Sequence, residues 1–196
     1  IYCFGKTNFQ EMTNLGKKTR ELLNDCSFIF RPKINSVHQS NDGTIKWLLE
    51  MDDKSLIETV FIPQGKRGTI CISSQVGCTL SCTFCNTGTQ KLVRNLSTYE
   101  ILGQIFTVID HLNDWPMSKT NRKVTNLVMM GMGEPLLNYE NVKKALKIVM
   151  SSNGLCISKR RITMSTSGIV PMIEQCGKDL DVNLAISLHA VDDKLR

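Results

Sequence analysis

The sequence predicts an α/β fold on a parallel sheet, preceded by a helical segment and a small antiparallel sheet. Three observations predict it. From residue 64 onward, short apolar strands alternate with helical stretches in the order βαβαβαβ, the pattern of a parallel sheet with right-handed crossovers. A polar segment rich in Gly or Ser follows each of those strands. Before them, residues 34–63 carry two turn signals and apolar residues at a period of two.

In chain order, Glu11 to Asn24 places Met12, Leu15, Leu22 and Leu23 among charges, which predicts a helix in a zone closed by Pro32. Asn41-Asp42-Gly43 predicts a hairpin turn. After it Ile45, Trp47, Leu49 and Met51 alternate with their neighbours, Asp52-Asp53-Lys54 turns the chain, and Leu56 to Ile62 is a further strand ending at Pro63. Thr69 to Ser73 is the first strand of the alternating zone. Ser97-Thr98-Tyr99-Glu100 is a capping box, and Ile101, Ile105, Val108, Ile109 and Leu112 follow at helical spacing. Val124 to Met130 is a buried-type strand, and Asn138 can cap the helix after it, with Gly154 where that helix stops. Arg161 to Ser165, Gly168 to Cys176 and Val182 to Ser187 complete the series as strand, short helix and strand. Four parallel strands are too few to close a barrel, so the sheet is either open or an incomplete barrel. In parallel α/β folds the site lies at the carboxyl ends of the strands, where these polar segments fall.

With 196 residues and 41% apolar content the chain can build a real core. No apolar run is long enough for a membrane span, and no signal peptide is visible. The chain starts at Ile1 and stops at Arg196 just past an apolar strand, so we expect a piece of a longer protein. The net charge of +6 is unevenly spread. Gln64 to Arg94 holds Lys66, Arg67, Lys91 and Arg94 and no acid, and Lys159-Arg160-Arg161 is a second basic knot. Such clusters suit a phosphate backbone or simply a solvated surface.

The sharpest signal is Cys78-x-x-x-Cys82-x-x-Cys85. Among eight cysteines these three are clustered, which in a cytosolic chain points to a metal or to catalysis. Three thiolates on one loop can bind three irons of a cubane cluster and leave the fourth iron open for a substrate. Structural zinc is the rival, and its fourth ligand would have to be Cys71 or a distant His. A chance cluster of buried cysteines is the third reading. Phe84, between the last two cysteines, would wall the site from solvent.

This spacing resembles the radical S-adenosylmethionine (SAM) enzymes. The surrounding motifs narrow the resemblance. Cys71-Ile-Ser-Ser-Gln-Val-Gly-Cys78, Gly131-Met-Gly-Glu134-Pro-Leu, Arg160-Arg-Ile-Thr-Met-Ser165-Thr-Ser-Gly and Ala185-Ile-Ser187-Leu-His189-Ala together resemble the dual-specificity RNA adenine C2-methyltransferases, over nearly the whole chain. The resemblance implies a partial (βα) radical SAM barrel over residues 64–196. It also implies an RNA-binding helical segment over 1–33 and a small β extension over 34–63. It implies a 4Fe–4S cluster on Cys78, Cys82 and Cys85. SAM would be bound by Gly133, Glu134, Ser165, Ser187, Leu188 and His189.

The implied reaction methylates C2 of an adenine in 23S rRNA and in tRNA next to the anticodon, through a methyl-cysteine and a transient protein–RNA crosslink. Cys71 would help resolve that crosslink through a transient disulfide, and Glu58 matches a proton acceptor. The methyl-carrying cysteine is expected beyond Arg196, so residues 1–196 alone are expected to be inactive. C2 of adenine is not nucleophilic, which is why polar methyl transfer fails and a cofactor must carry the hard step. A cytoplasmic monomer that draws electrons from a donor such as flavodoxin with its reductase completes the expectation. Two alternatives stand beside it: the related C8-methylating rRNA enzymes, and a non-enzymatic RNA-binding module with structural zinc.

Overall fold

The computed structural model describes residues 1–80, 82, 85–116 and 121–188. Phe9–Glu11 form one 3-10 turn capped by the Asn8 side chain, and α1 runs Lys17–Cys26. The helix expected from Glu11 therefore starts later, because Gly16 takes an extended N-cap conformation. No residue of α1 is buried, so it is not packed into the core.

Four antiparallel strands follow: β1 Lys33–Gln39, β2 Ile45–Glu50, β3 Leu56–Gln64 and β4 Arg67–Cys71. Both predicted turns are present. Asp42 accepts from the Thr44 amide at 2.9 Å, and Asp53 accepts from the Ser55 amide at 3.0 Å. The period of two is real, since Ile45, Trp47, Leu49 and Ile57 are buried. β3 runs through Pro63, near its end, where a missing N–H matters little.

After β4 the chain makes a two-stranded ribbon, β5 Gln75–Val76 with β6 Arg94–Asn95, which no sequence pattern predicts. Next come α2 Thr98–His111, β7 Asn126–Met129, α3 Tyr139–Met150, β8 Ile162–Thr166, α4 Val170–Leu180 and β9 Asn183–Ile186. β4, β7, β8 and β9 pair in parallel. All but the ribbon belong to one seven-stranded sheet in the order β1-β2-β3-β4-β7-β8-β9. The antiparallel strands thus continue directly into the parallel ones, and the parallel part is an incomplete (βα) barrel.

The capping box of α2 forms as predicted, with the Ser97 amide donating to Glu100 at 2.8 Å. Ile101, Ile105, Val108 and Ile109 are fully buried against the sheet. Each contributes on the order of 2 kcal/mol. Asn138 sits at the α3 N-cap position but does not cap it; its amide donates to the Ser74 and Leu96 carbonyls at 2.8 and 2.7 Å. The two faces of the parallel sheet differ. Ile70, Ile72, Leu127, Met129, Ile162 and Met164 join the helices in the core. Cys71, Val128, Met130, Thr163 and Ser165 alternate with them on the opposite, uncovered face.

Candidate active site at the carboxyl ends of the parallel strands

The four polar segments converge. One cavity of about 300 Å³ is lined by Cys78, Cys82 and Cys85 after β4, Gly131, Gly133 and Glu134 after β7, Ser165 and Ser167 from the end of β8, and Ser187 after β9.

The segment after β7 is held residue by residue. A Cβ on Gly131 would lie 2.7 Å from the Ile72 carbonyl, so only glycine permits this approach. Gly133 has φ +92°, and a Cβ there would lie 2.5 Å from Gln75. The Met132 amide donates to Ser73 Oγ at 2.9 Å, and the Met132 carbonyl accepts from the Ser74 amide at 2.8 Å. The Glu134 amide donates to Gln75 Oε1 at 2.9 Å. The Glu134 carboxylate is 3% exposed and saturated on its inner side: Oε1 accepts from the Leu136 amide at 3.1 Å, and Oε2 from the Ser167 amide and hydroxyl at 2.9 and 3.1 Å. Behind them, fully buried Gln104 of α2 accepts from the Ser73 amide at 2.8 Å and donates to the Ser73 carbonyl at 3.0 Å.

Among the described residues, the cysteine loop is tied at both ends and by short-range bonds between them, such as the Cys85 amide to the Cys82 carbonyl at 3.1 Å. Gln75 donates to Asn95 at 2.7 Å across the ribbon. Arg94 bonds both Glu100 oxygens at 2.9 and 2.8 Å and Asp53 at 2.6 Å. The hydrogen bonds to Asp53 and to Glu100, with the charges of both partners, hold the Arg94 pKa well above the ordinary arginine value. Within the loop, the Leu80 amide donates to Cys78 Sγ at 3.4 Å. Burial pushes the Cys78 thiol up, that amide pulls it back, and the charges of Cys82, Cys85 and Glu134 push it up again. Phe84 lies outside the described residues.

Residues 72–196 match the profile of the Radical SAM superfamily. The chain belongs to the radical SAM superfamily. Among its relatives, a protein of Rhizorhabdus wittichii named "Dual-specificity RNA methyltransferase RlmN" is 53% identical over 196 residues, covering 100% of this chain and 49% of the relative. One of the same name from Parvibaculum lavamentivorans is 54% identical over 205 residues, covering 100% of this chain and 51% of the relative. The chain thus spans about half the length of the curated relatives it matches. The crystal structure of a radical SAM methyltransferase from Sphaerobacter thermophilus superposes with TM-score 0.87 at 38% identity, covering 97% of this chain and 55% of that one.

Membership of this superfamily implies a 4Fe–4S cluster and SAM as cofactors. The residues present fit them. Three thiolates and a carboxylate around one cavity repel one another, and a cationic cluster removes that repulsion. Among the described residues no group of three ligating side chains is placed to hold a single metal ion. Structural zinc needs four ligands around one point, whereas a cubane spreads its ligands over separate irons. Cys71, zinc's suggested fourth ligand, does not line the cavity.

In this radical SAM core Cys71 ends β4 on the uncovered face, paired with Val60 of β3 and Val128 of β7. Burial pushes its thiol up to about 11, with the Met130 amide pulling the other way. Val128, its partner on β7, lies two residues before Met130, which lines the cavity, so Cys71 lies beside the cavity without lining it. Glu58 lies two residues before Val60 on the same face and pairs with Lys46 at 2.9 Å. Leu188 is exposed and is not among the lining residues, and His189 lies outside the described residues. Sequence reasoning missed Ser73, Gln75, Gln104 and Ser167. One signal was available for Gln104, a polar residue on the apolar face of α2, three positions after Ile101.

Proposed function

We propose that the full-length protein methylates C2 of an adenine in 23S rRNA and in tRNA next to the anticodon. One observation carries the reading: Cys71 ends β4 on the face opposite the helices, beside the cavity that gathers the cysteine triad, Gly133, Glu134 and Ser165. Cys78, Cys82 and Cys85 would hold the cluster, which supplies the electron that cleaves SAM. The remaining work falls to this chain's own groups. Gly131 and Gly133 keep the backbone low enough for a ligand to lie across it. Glu134, fixed from behind by Ser167 and Leu136, would accept from the ammonium group of SAM. Ser165 and Ser187 line the same cavity as further hydrogen-bonding groups for SAM. Leu188 and His189 complete the expected SAM set.

Cys71 enters as a protonated thiol and resolves the protein–RNA crosslink only once it loses that proton. Glu58 is the carboxylate on the same face that would take a proton, after release from Lys46. The segment 1–33 and the strands of 34–63 would grip RNA, around a catalytic core from residue 64. A cytoplasmic monomer reduced by a flavodoxin-type donor fits this reading; no helix among the described residues is long and apolar enough to cross a membrane.

The test is anaerobic reconstitution of the full-length protein with iron, sulfide, SAM, a reductant and an rRNA transcript, followed by mass spectrometry of the digested nucleosides. We expect 2-methyladenosine. A product methylated at C8, or no methylated adenosine from a fully loaded protein, overturns the assignment.

A further inference from the structure

The amino ends of the parallel strands carry a feature that the cavity at their other ends does not use. Two basic clusters, far apart in sequence, meet there. Lys66 and Arg67 start β4, and Lys159, Arg160 and Arg161 form the 3-10 turn that leads into β8. Between those strands lies β7, and its lead-in contributes Arg122 and Lys123. The cations therefore follow the order of adjacent strands, roughly 5 Å apart in the pairing direction. Lys66, Arg67, Arg122 and Lys123 line one cleft of about 960 Å³.

Among the described residues, the acids beside these cations are already engaged. Asp114 lines the same cleft, but its two oxygens accept from the Lys123 and Val124 amides at 2.7 and 2.9 Å. Asp181 pairs with Lys159. Arg122 is clamped by the Leu155 and Cys156 carbonyls, both at 2.9 Å. Burial lowers its pKa, and the nearby charge of Arg161 lowers it further. Arg94 is different: the structure spends it on Glu100 and Asp53, so it leaves the basic cluster that the sequence suggested. What remains is a run of guanidinium and ammonium groups on one face, with fixed spacing and a cleft between them. An extended polyanion with regularly spaced charges matches it.

We infer that the amino-end face of the sheet is a second docking surface, for the phosphate backbone of the substrate RNA away from the target adenine. This rests on the reading of the protein as an RNA methyltransferase. A five-residue strand rises roughly 16 Å, so an RNA whose adenine enters the cavity must pass along the side of the sheet to reach this face. An RNA that extends well beyond the target loop does so, whereas a minimal stem-loop closed by about three base pairs falls short of that distance.

The experiment uses the full-length, cluster-loaded protein and the K66Q/R67Q/R160Q/R161Q variant. Binding to an extended rRNA fragment and to a minimal target stem-loop is measured over a salt series, with methylation of the stem-loop in parallel. For the extended RNA we expect affinity to fall about tenfold or more near 0.1 M salt, and the log–log salt slope to shrink by roughly 3. Stem-loop kcat and KM should stay within about twofold. Unchanged affinity and slope on the extended RNA overturn the inference. So does an equal loss on the stem-loop, which would mean a general charge effect. If the unmodified protein neither binds nor methylates either RNA, it is the RNA-methylation reading that fails.

Discussion

Two loops line the same cavity and are built in opposite ways. The segment after β7, Gly131 to Pro135, donates to Ser73 Oγ and Gln75 Oε1 and accepts from the Ser74 and Ser167 amides. Among the described residues, the loop that carries Cys78, Cys82 and Cys85 is tied where it joins β5 and β6, by Gln75–Asn95 and by Arg94 with Glu100 and Asp53, and otherwise by bonds of its own, such as the Cys85 amide to the Cys82 carbonyl at 3.1 Å. The difference is physical. A loop that must present a carboxylate and bare backbone to a ligand has to be preorganised by protein, because nothing else holds it in place. A loop whose thiolates bind a metal cluster can take its final shape from the metal, since binding energy is also folding energy.

The largest expected effect breaks the cysteine side of this contrast. In the full-length protein C78A, C82A or C85A should drop iron and sulfide well below the roughly four of each in a cubane. Methylation should fall to background, because without the cluster nothing would deliver the electron that cleaves SAM. Hydrogen exchange gives the finer reading. Chelating the iron should raise exchange of the described amides from Cys78 to Gln90 and leave 131–135 protected. Equal deprotection of both loops would show that the two are not independent.

The converse substitution acts on the protein-held loop. E134A removes the acceptor of the buried Leu136 amide and of the half-buried Ser167 amide and hydroxyl, a loss of about 2–4 kcal/mol. Denaturant unfolding should show it as a lower midpoint. SAM affinity should fall while iron content stays near normal; loss of iron along with SAM would collapse the distinction.

A smaller effect should follow from G133A. The added Cβ meets Gln75 at 2.5 Å at a φ of +92°, a strain of about 1–3 kcal/mol. Q75A should remove the contacts with Gln75 Cγ and Oε1, at 2.7 and 2.8 Å, but neither the one with its Cβ nor the dihedral strain. The double variant should therefore be less destabilised than the sum of the singles, by roughly 0.5–1 kcal/mol. Strict additivity would mean that Gln75 does not hold Gly133 in place.

The same contrast explains what the sequence made legible. Asn41-Asp42-Gly43, the Ser97–Glu100 capping box and the apolar spacing of α2 each record a local rule, and each element formed. The triad was legible because metal ligation demands a fixed spacing on one loop. Gly131 and Gly133 marked a Gly-rich turn, but not the partner it approaches. That partner, the Ser73-Ser74-Gln75 segment with Gln104 behind it, was not legible. A buried amide is satisfied by whatever the fold brings near, so it has no spacing of its own. Asn138 shows the same limit: its position suggested a cap, yet tertiary carbonyls took its amide. The cations at the amino ends were visible as two clusters, but only strand order joined them.

The smallest effect lies between the two loops, at Cys71. Its pKa of about 11 comes mostly from burial on the sheet, not from the cysteine loop. The raised value means the neutral thiol dominates until the pH approaches 11. At pH 8 the thiolate is roughly one part in a thousand, rising about tenfold per pH unit. Iodoacetamide labelling read by mass spectrometry should therefore find the exposed Cys3 and Cys26 alkylated first, and Cys71 still climbing in rate above pH 10. Removing the iron should not change that profile, because the strand and the Met130 amide hold Cys71 whether or not the metal is bound. A profile with its midpoint near pH 8.5, or one that shifts on chelation, would place Cys71 under the control of the metal-shaped loop instead of the protein-held half of the site.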